Sequence, residues 1–188
     1  MKHILWACLI LSGCGYQWYA QTERPSVLVP YIRGDDDGSL TQEIARVLTT
    51  SGKAKLATHT GELRLQVSIV SSQNQTVGYR KDKQKVSGEL RKNIVGCEGR
   101  RTLTATATLY KGNSETIVKG PYTLTAYADY DYVDGDDIRE LVFTNSEGVP
   151  TKVLPFSLGQ LEPVESAQEA TSKPLYTELA QKIADTLF

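Results

Sequence analysis

The sequence predicts an α+β fold, a two-layer sandwich of two helices on a roughly four-stranded mixed sheet in the order β-α-β-β-β-α. Three observations carry this. Leu40, Ile44, Val47 and Leu48 fall on one helical face. Segments beginning at Leu63, Leu103 and Tyr122 alternate apolar and polar residues, the period of a half-buried strand. Leu175, Leu179, Ile183 and Leu187 then form a stripe at spacing four that runs to the C-terminus. Two amphipathic helices flanking a run of half-buried strands bury their stripes by covering one face of the sheet.

Taken in order, Ser26 to Ile32 reads as a first strand, with Pro30 marking an edge or its end. Gly34-Asp35-Asp36-Asp37-Gly38 is a turn. Ser39 is placed as an N-cap and Gln42, three residues later, completes a capping box. Gly52 is placed to end that helix in a left-handed conformation. Leu63, Leu65, Val67 and Ile69 alternate with polar neighbours, as do Leu103, Ala105, Ala107 and Leu109. Lys111-Gly112-Asn113 is a turn, so the strand before it pairs with one at about 116–130. In that last strand Tyr122 and Tyr130 share one face and Tyr127 takes the other. Segment 80–101 is read as an extended excursion, partly strand. Near the end Pro163 opens a helix with Ala167 and Ala170 on one face, and Pro174 kinks or breaks it.

The N-terminus is a different kind of segment. Met1-Lys2-His3 is basic, and Ile4 to Leu11 is apolar but far shorter than the ~20 residues that span a bilayer. That combination is an export signal. Leu11-Ser12-Gly13-Cys14 resembles the bacterial lipobox. The resemblance implies cleavage before Cys14 and acylation of its thiol and new amino group. Two or three acyl chains hold a protein stably on a bilayer, whereas one binds marginally. Gly15 in place of Asp implies transfer to the outer membrane. The expected organisation is a lipoprotein signal peptide over 1–13, a lipidated tether over 14–25 and a single domain over 26–188.

The mature chain of about 175 residues suits one domain with a real core. Cys8 leaves with the signal and Cys14 is acylated, so Cys97 remains as a free thiol or a link to another chain. Formal net charge is −1, but the charges are segregated. Residues 80–101 carry Arg80, Lys81, Lys83, Lys85, Arg91, Lys92, Arg100 and Arg101 against three acids, whereas residues 129–147 are acidic apart from Arg139. Such segregation sets up a local potential that attracts an anionic partner to one face.

No active site is visible. His59 is the one histidine of the mature chain and reads as a solvated loop residue. Nucleophile elbows and phosphate-cradling loops are missing. Asp129, Asp131, Asp134, Gly135 and Glu140 approach a calcium loop, but the third Asp stands two residues beyond its slot. Both acidic clusters are read as solvated turns, so neither a metal nor a cofactor is expected.

Together, several short stretches resemble the LptE family of lipopolysaccharide-assembly lipoproteins. They are Cys14-Gly15-Tyr16, the strand from Val27 to Ile32, Gly38-Ser39-Leu40-Thr41 opening a helix that ends before Gly52, and the order of the later strands and terminal helix. The resemblance implies residence in the outer membrane, facing the periplasm. It also implies a non-enzymatic role as partner and plug of a large β-barrel, LptD, with lipopolysaccharide as ligand and no nucleic acid. Two departures stand out, the long basic insertion at 78–101 and Pro155-Phe156-Ser157-Leu158-Gly159-Gln160-Leu161. Clustered phosphates suit Arg forks and Lys charges, which makes Arg80, Lys81, Lys83, Lys85, Arg91 and Lys92 the candidate lipopolysaccharide contacts. A solubilising loop is the other reading of that segment. A free-standing periplasm-facing lipoprotein is the other reading of the whole chain.

Overall fold

A computed structural model describes residues 23–83, 90–132, 142–152 and 164–188. Its main sheet holds five strands in the order β2-β1-β3-β4-β5: β1 (Ser26–Leu28), β2 (Lys55–Ala57), β3 (Leu63–Lys83), β4 (Leu90–Lys111) and β5 (Ile117–Asp131). β1 runs parallel to both β2 and β3, and the pairs β3–β4 and β4–β5 are antiparallel. Helices α1 (Ser39–Thr50), α2 (Val164–Ala170) and α3 (Ser172–Leu187) complete the sandwich. A separate hairpin pairs β6 (Val142–Thr144) with β7 (Pro150–Lys152).

The predicted stripes make the core. Leu40, Ile44, Val47 and Leu48 of α1 are buried, as are Leu175, Leu179, Ile183 and Leu187 of α3. They pack on Leu65 and Val67 of β3, Leu103, Ala105, Ala107 and Leu109 of β4, and Ala126 of β5. Alanines on the sheet opposite leucines on the helices let the two layers approach closely. Two polar links tie α1, and the segment just after it, to α3. Thr177 Oγ1 donates to Glu43 Oε1 at 2.6 Å, and Lys53 Nζ donates to the Ala184 carbonyl and the Asp185 carboxylate. The second adds a bond to a carbonyl in the last turn of α3 that already accepts from Phe188 N, at the end where a cation also suits the helix dipole.

The structure departs from the sequence reading in five places. The main sheet has a fifth strand, β2, which is three residues long on an exposed edge and too short for periodicity to register. β6 and β7, equally short, were also unforeseen. β1 stops at Leu28, two residues before Pro30, and the chain rejoins β3 only through the Arg33–Ser68 bridge. The helical break near the C-terminus comes at Thr171; Pro174 sits inside the first turn of α3, where its missing N–H costs nothing.

The fifth difference concerns the start of α1. The helix begins at Ser39, and Gly38, not Ser39, is its N-cap, with φ of 75° and no side-chain cap bond of its own. The work is done by the acidic turn. Asp35, buried to 2 % exposure, accepts from Leu40 N at 3.2 Å, Thr41 N at 2.8 Å and Thr41 Oγ1 at 2.6 Å. Asp37 accepts from Ser39 N and Ser39 Oγ, which holds its carboxyl below the usual carboxylate range. Asp35 is therefore a structural anchor rather than a solvated turn residue. It answers the unpaired first-turn N–H groups and sits at the positive end of the helix dipole.

Candidate functional site

β3 and β4 are far longer than the sandwich they serve, and the excess is the candidate site. The sheet is three strands wide here as far as the pairing of Glu98 with Asp131, with one further bond from Tyr132 N to the Cys97 carbonyl. Beyond it, among the described residues, β3 and β4 continue as a two-stranded ribbon, through Tyr79–Gly96, Arg80–Val95 and Lys81–Ile94 to Lys83–Leu90. Six residues from Gly78 to Lys83 carry it about 20 Å outward at the rise of a strand. Val70 and Val77 of β3 and Cys97 of β4 are left over where the register shifts. Each such bulge adds twist and resets which side chains share a face.

The ribbon is bolted at its base. Gly99 pairs with Tyr130, and a Cβ at Gly99 would come within 2.6 Å of that ring, so only glycine lets the ring lie flat there. A Cβ at Gly96 would meet the Tyr132 hydroxyl in the same way. The two rings stand 5.9 Å apart. Tyr130 Oη accepts from Gln168 Nε2 of α2, and Tyr132 Oη shares a hydrogen with Thr76 Oγ1. Tyr130 falls on the inner face, opposite to Tyr127 as the alternation of β5 predicts, but the glycines beneath it carry no signal of their own.

Segment 80–101 divides in two. Arg100 and Arg101 belong to the base. Arg100 makes a two-pronged ion pair with Asp129 at 2.6 and 2.8 Å and lies 4.6 Å over the Tyr127 ring. That pairing holds the Asp129 carboxyl below its ordinary range. Arg101 reaches across the inner face to the Gln168 carbonyl and Ser172 Oγ. The strand register thus sets the end of the basic segment beside the start of the acidic one, and the two opposed potentials partly cancel at their seam.

The remaining basic positions lie on the ribbon. Arg80 and Lys81 are exposed, on neighbouring rungs and therefore on opposite faces. Lys83 is in β3, and Arg91 and Lys92 are in β4, so the fold gathers these positions onto the outer end of one hairpin. Their side chains, together with Lys85 and Cys14, lie outside the described residues. Among the described residues, exposed apolar side chains share the ribbon: Val77 at 41 %, Tyr79 at 60 % and Ile94 at 65 %. Cations beside bare apolar surface suit a ligand that is both anionic and amphiphilic.

The outer face of the sheet is polar, exposed at Gln66, Thr123 and Thr125 and closed over Thr108. Thr102, Thr104, Thr106 and Thr108 of β4 stand beside Gln66 and Ser68 of β3 and Thr123 and Thr125 of β5. Thr104 and Thr125 share a hydrogen bond across the strands. Among the described residues no group of His, Cys, Asp and Glu side chains is placed to hold a metal ion, and His59 is an exposed loop residue. Cys97 is a half-buried free thiol. No helix among the described residues is long and apolar enough to cross a membrane.

These features define a two-layer α+β module that carries an exposed two-stranded ribbon and a polar outer sheet face. A family model described as "LptE: Lipopolysaccharide-assembly" matches residues 25–188, and the chain belongs to that family. Among curated proteins no match is found. Solved structures with a similar fold include a minor lipoprotein from Acinetobacter baumannii at 15 % identity, covering 86 % of this chain and 89 % of that one with a TM-score of 0.45. Lipoprotein B from Nitrosomonas europaea matches at 14 % identity, 85 % and 79 % coverage and a TM-score of 0.43. Rare lipoprotein B from Shewanella oneidensis matches at 10 % identity, 86 % and 92 % coverage and a TM-score of 0.42.

Proposed function

We propose that the chain is a lipopolysaccharide-assembly lipoprotein of the outer membrane, anchored through acylated Cys14 and facing the periplasm. It acts without catalysis, as partner and plug of an LptD-type β-barrel, aiding the barrel's assembly and the insertion of lipopolysaccharide into the outer leaflet. The observation that carries this reading is the family match over residues 25–188, which begins at the last residue of the predicted tether. Signal peptide 1–13 and tether 14–25 precede that domain in this arrangement.

The ribbon supports the ligand half of the proposal. Lipopolysaccharide carries clustered phosphates on a lipid, and the ribbon offers cationic positions at Arg80, Lys81, Lys83, Arg91 and Lys92 beside exposed Tyr79 and Ile94. Lys85 belongs to the same segment by sequence. Neutralising Lys81, Lys83 and Lys85 together should weaken lipopolysaccharide binding and flatten its dependence on salt, because fewer screened charges then contribute. Unchanged binding across ionic strengths would remove the ribbon from the ligand site.

Mild detergent extraction of the tagged lipoprotein, followed by mass spectrometry, tests the partnership. A large outer-membrane barrel recovered in equal amount is the expected result. Recovery of the lipoprotein alone from cells that express the barrel would instead favour a free-standing periplasm-facing lipoprotein. Cys14→Ser should move the protein from the membrane to the soluble fraction.

A further inference from the structure

We propose that Lys182 of α3 is a latch on the free edge of β5, and that it keeps a second copy of the chain from adding a strand to the sheet there.

The main sheet has two outer edges. β2, at one of them, is three residues long and offers little to pair with. β5, at the other, is 15 residues long. The register says which of its backbone groups face outward. Tyr132 N donates to the Cys97 carbonyl, so the even-numbered residues that precede Tyr132 in β5 turn their N–H and C=O groups toward β4. The odd-numbered Thr123, Thr125, Tyr127, Asp129 and Asp131 turn theirs away. Thr104 and Thr125 agree with this, since their hydroxyls meet at 3.1 Å, as side chains do across a pair without backbone bonds. All five odd-numbered residues are exposed. Pro121 brings no N–H, so an incoming ladder begins after it.

Such an edge is complementary to itself. Laid antiparallel about Tyr127, a second copy sets its Asp129 opposite Thr125 and its Asp131 opposite Thr123. Every outward residue then has a partner, and no two like charges face each other. The chain thus carries both halves of the ladder, and a second copy is the strand that fits it.

Lys182 stands in the way. Leu179 and Ile183 of α3 are buried against the sheet, and Lys182, on the flank of that stripe, reaches the edge of β5. Its Nζ donates to the Thr125 carbonyl at 2.8 Å, and Glu178 Oε1 holds the same ammonium at 2.6 Å. Among the described residues, that carbonyl is the one outward backbone group of these five residues with a partner. In the paired ladder it would accept from the Asp129 N–H of the second copy instead. Pairing must therefore expel the ammonium from both copies or enclose it, and enclosing a charge costs more than losing a bond. Outward groups that stay in water cost the single chain nothing. The latch acts on the chain by itself, whatever the ribbon binds.

The full mature chain carrying Cys14→Ser and Cys97→Ser, and so without other thiols, is suited to the test. Analytical ultracentrifugation should find it monomeric and should find Lys182→Met in dimers. Each copy gives up one charge-assisted hydrogen bond on pairing, worth about tenfold, so the variant should raise dimer affinity about a hundredfold. Lys182→Arg keeps a donor and should stay monomeric. Added to Lys182→Met, Tyr127→Cys lies on the two-fold axis with its copy ~5.5 Å away and should form a disulfide dimer under mild oxidation. Gln73→Cys, on the same rung but two strands inward, would lie ~24 Å from its copy and should not. Urea midpoints check that Lys182→Met keeps the fold, and Lys182→Ala repeats the test with a shorter side chain. Methionine and alanine variants that stay as monomeric as the parent chain overturn the proposal. So does a Tyr127→Cys disulfide that forms equally with Lys182 in place, or one that Gln73→Cys matches.

Discussion

Asp35 offers the sharpest test of how this fold is assembled. Its carboxylate is shared by three donors at the start of α1, Leu40 N, Thr41 N and Thr41 Oγ1, at 3.2, 2.8 and 2.6 Å. Asp35→Ala removes all three acceptors. Leu40 is fully buried, so water does not replace what is lost at its amide. An N-cap loss costs ~1–2 kcal/mol and a stranded buried donor ~1–3 kcal/mol, so a total near 3 kcal/mol is expected. Asp35→Asn distinguishes a carboxylate from a mere acceptor. One of its two terminal atoms becomes an NH₂ group, which then faces either the Leu40 amide or the Thr41 donors. A donor opposite a donor gains nothing, and Asn should recover less than half of the loss. Urea denaturation of the mature chain is the measurement. With a slope of ~2 kcal/mol/M the Asp35→Ala midpoint should fall by ~1.5 M. The more exposed Asp37→Ala should shift it visibly less. An Asp35→Asn midpoint equal to wild type would refute the reasoning, because neutral acceptors would then suffice and the helix dipole would have no part in it.

Other outcomes follow from the same packing. Glu43 is held at a pKa of about 2 by the Arg46 hydrogen bonds, with a further bond from Thr177. A folded value below the unfolded one gives stability that is complete above pH ~4.5 and is lost as pH falls toward 2. The shift corresponds to ~3 kcal/mol at most, reduced to ~1–2 kcal/mol because Arg46 is more than half exposed and water screens the pair. Glu43→Gln should therefore lower stability at pH 7 by that amount and flatten the acid limb of a denaturation series, and an unchanged acid limb would place the interaction elsewhere. Leu179→Ala, at a fully buried position between helix and sheet, should cost ~2–5 kcal/mol in the same urea assay. Gly99→Ala should destabilise the domain by pushing the Tyr130 ring off the sheet, with loss of near-ultraviolet tyrosine dichroism as its signature.

The layers of this fold were legible because they depend on long periodic stripes. Four apolar positions in α1 and four in α3 are enough to fix two helices and the face each buries. The same holds for β3, β4 and β5, whose inner faces alternate over many rungs. β2, β6 and β7 escaped because three residues hold no period. The capping of α1 escaped for a different reason. Ser39 and Gln42 satisfy a local motif, yet the carboxylate of Asp35 reaches further and carries full charge, so it displaced them. At the candidate site the basic composition was readable, but its division was not. Whether an arginine belongs to a ligand surface or to the scaffold depends on its cross-strand partner, and only the register of β4 with β5 assigns Arg100 to Asp129.

Among the described residues, the ribbon joins the domain at its base, through the Tyr130 and Tyr132 packing and the Arg100–Asp129 pair. Among the described residues, none of the ribbon beyond Glu98 belongs to the core between the helices and the sheet. Its length is therefore free to drift without a stability cost, in a way that no other part of β3 or β4 is. Residues added in pairs, one pair to each strand, would lengthen the reach and keep each side chain on its face. A single added residue would turn over every face beyond it, as the bulge residues Val70 and Val77 already do. Reach and polarity of the arm can thus change independently of each other, while the domain that carries it stays the same.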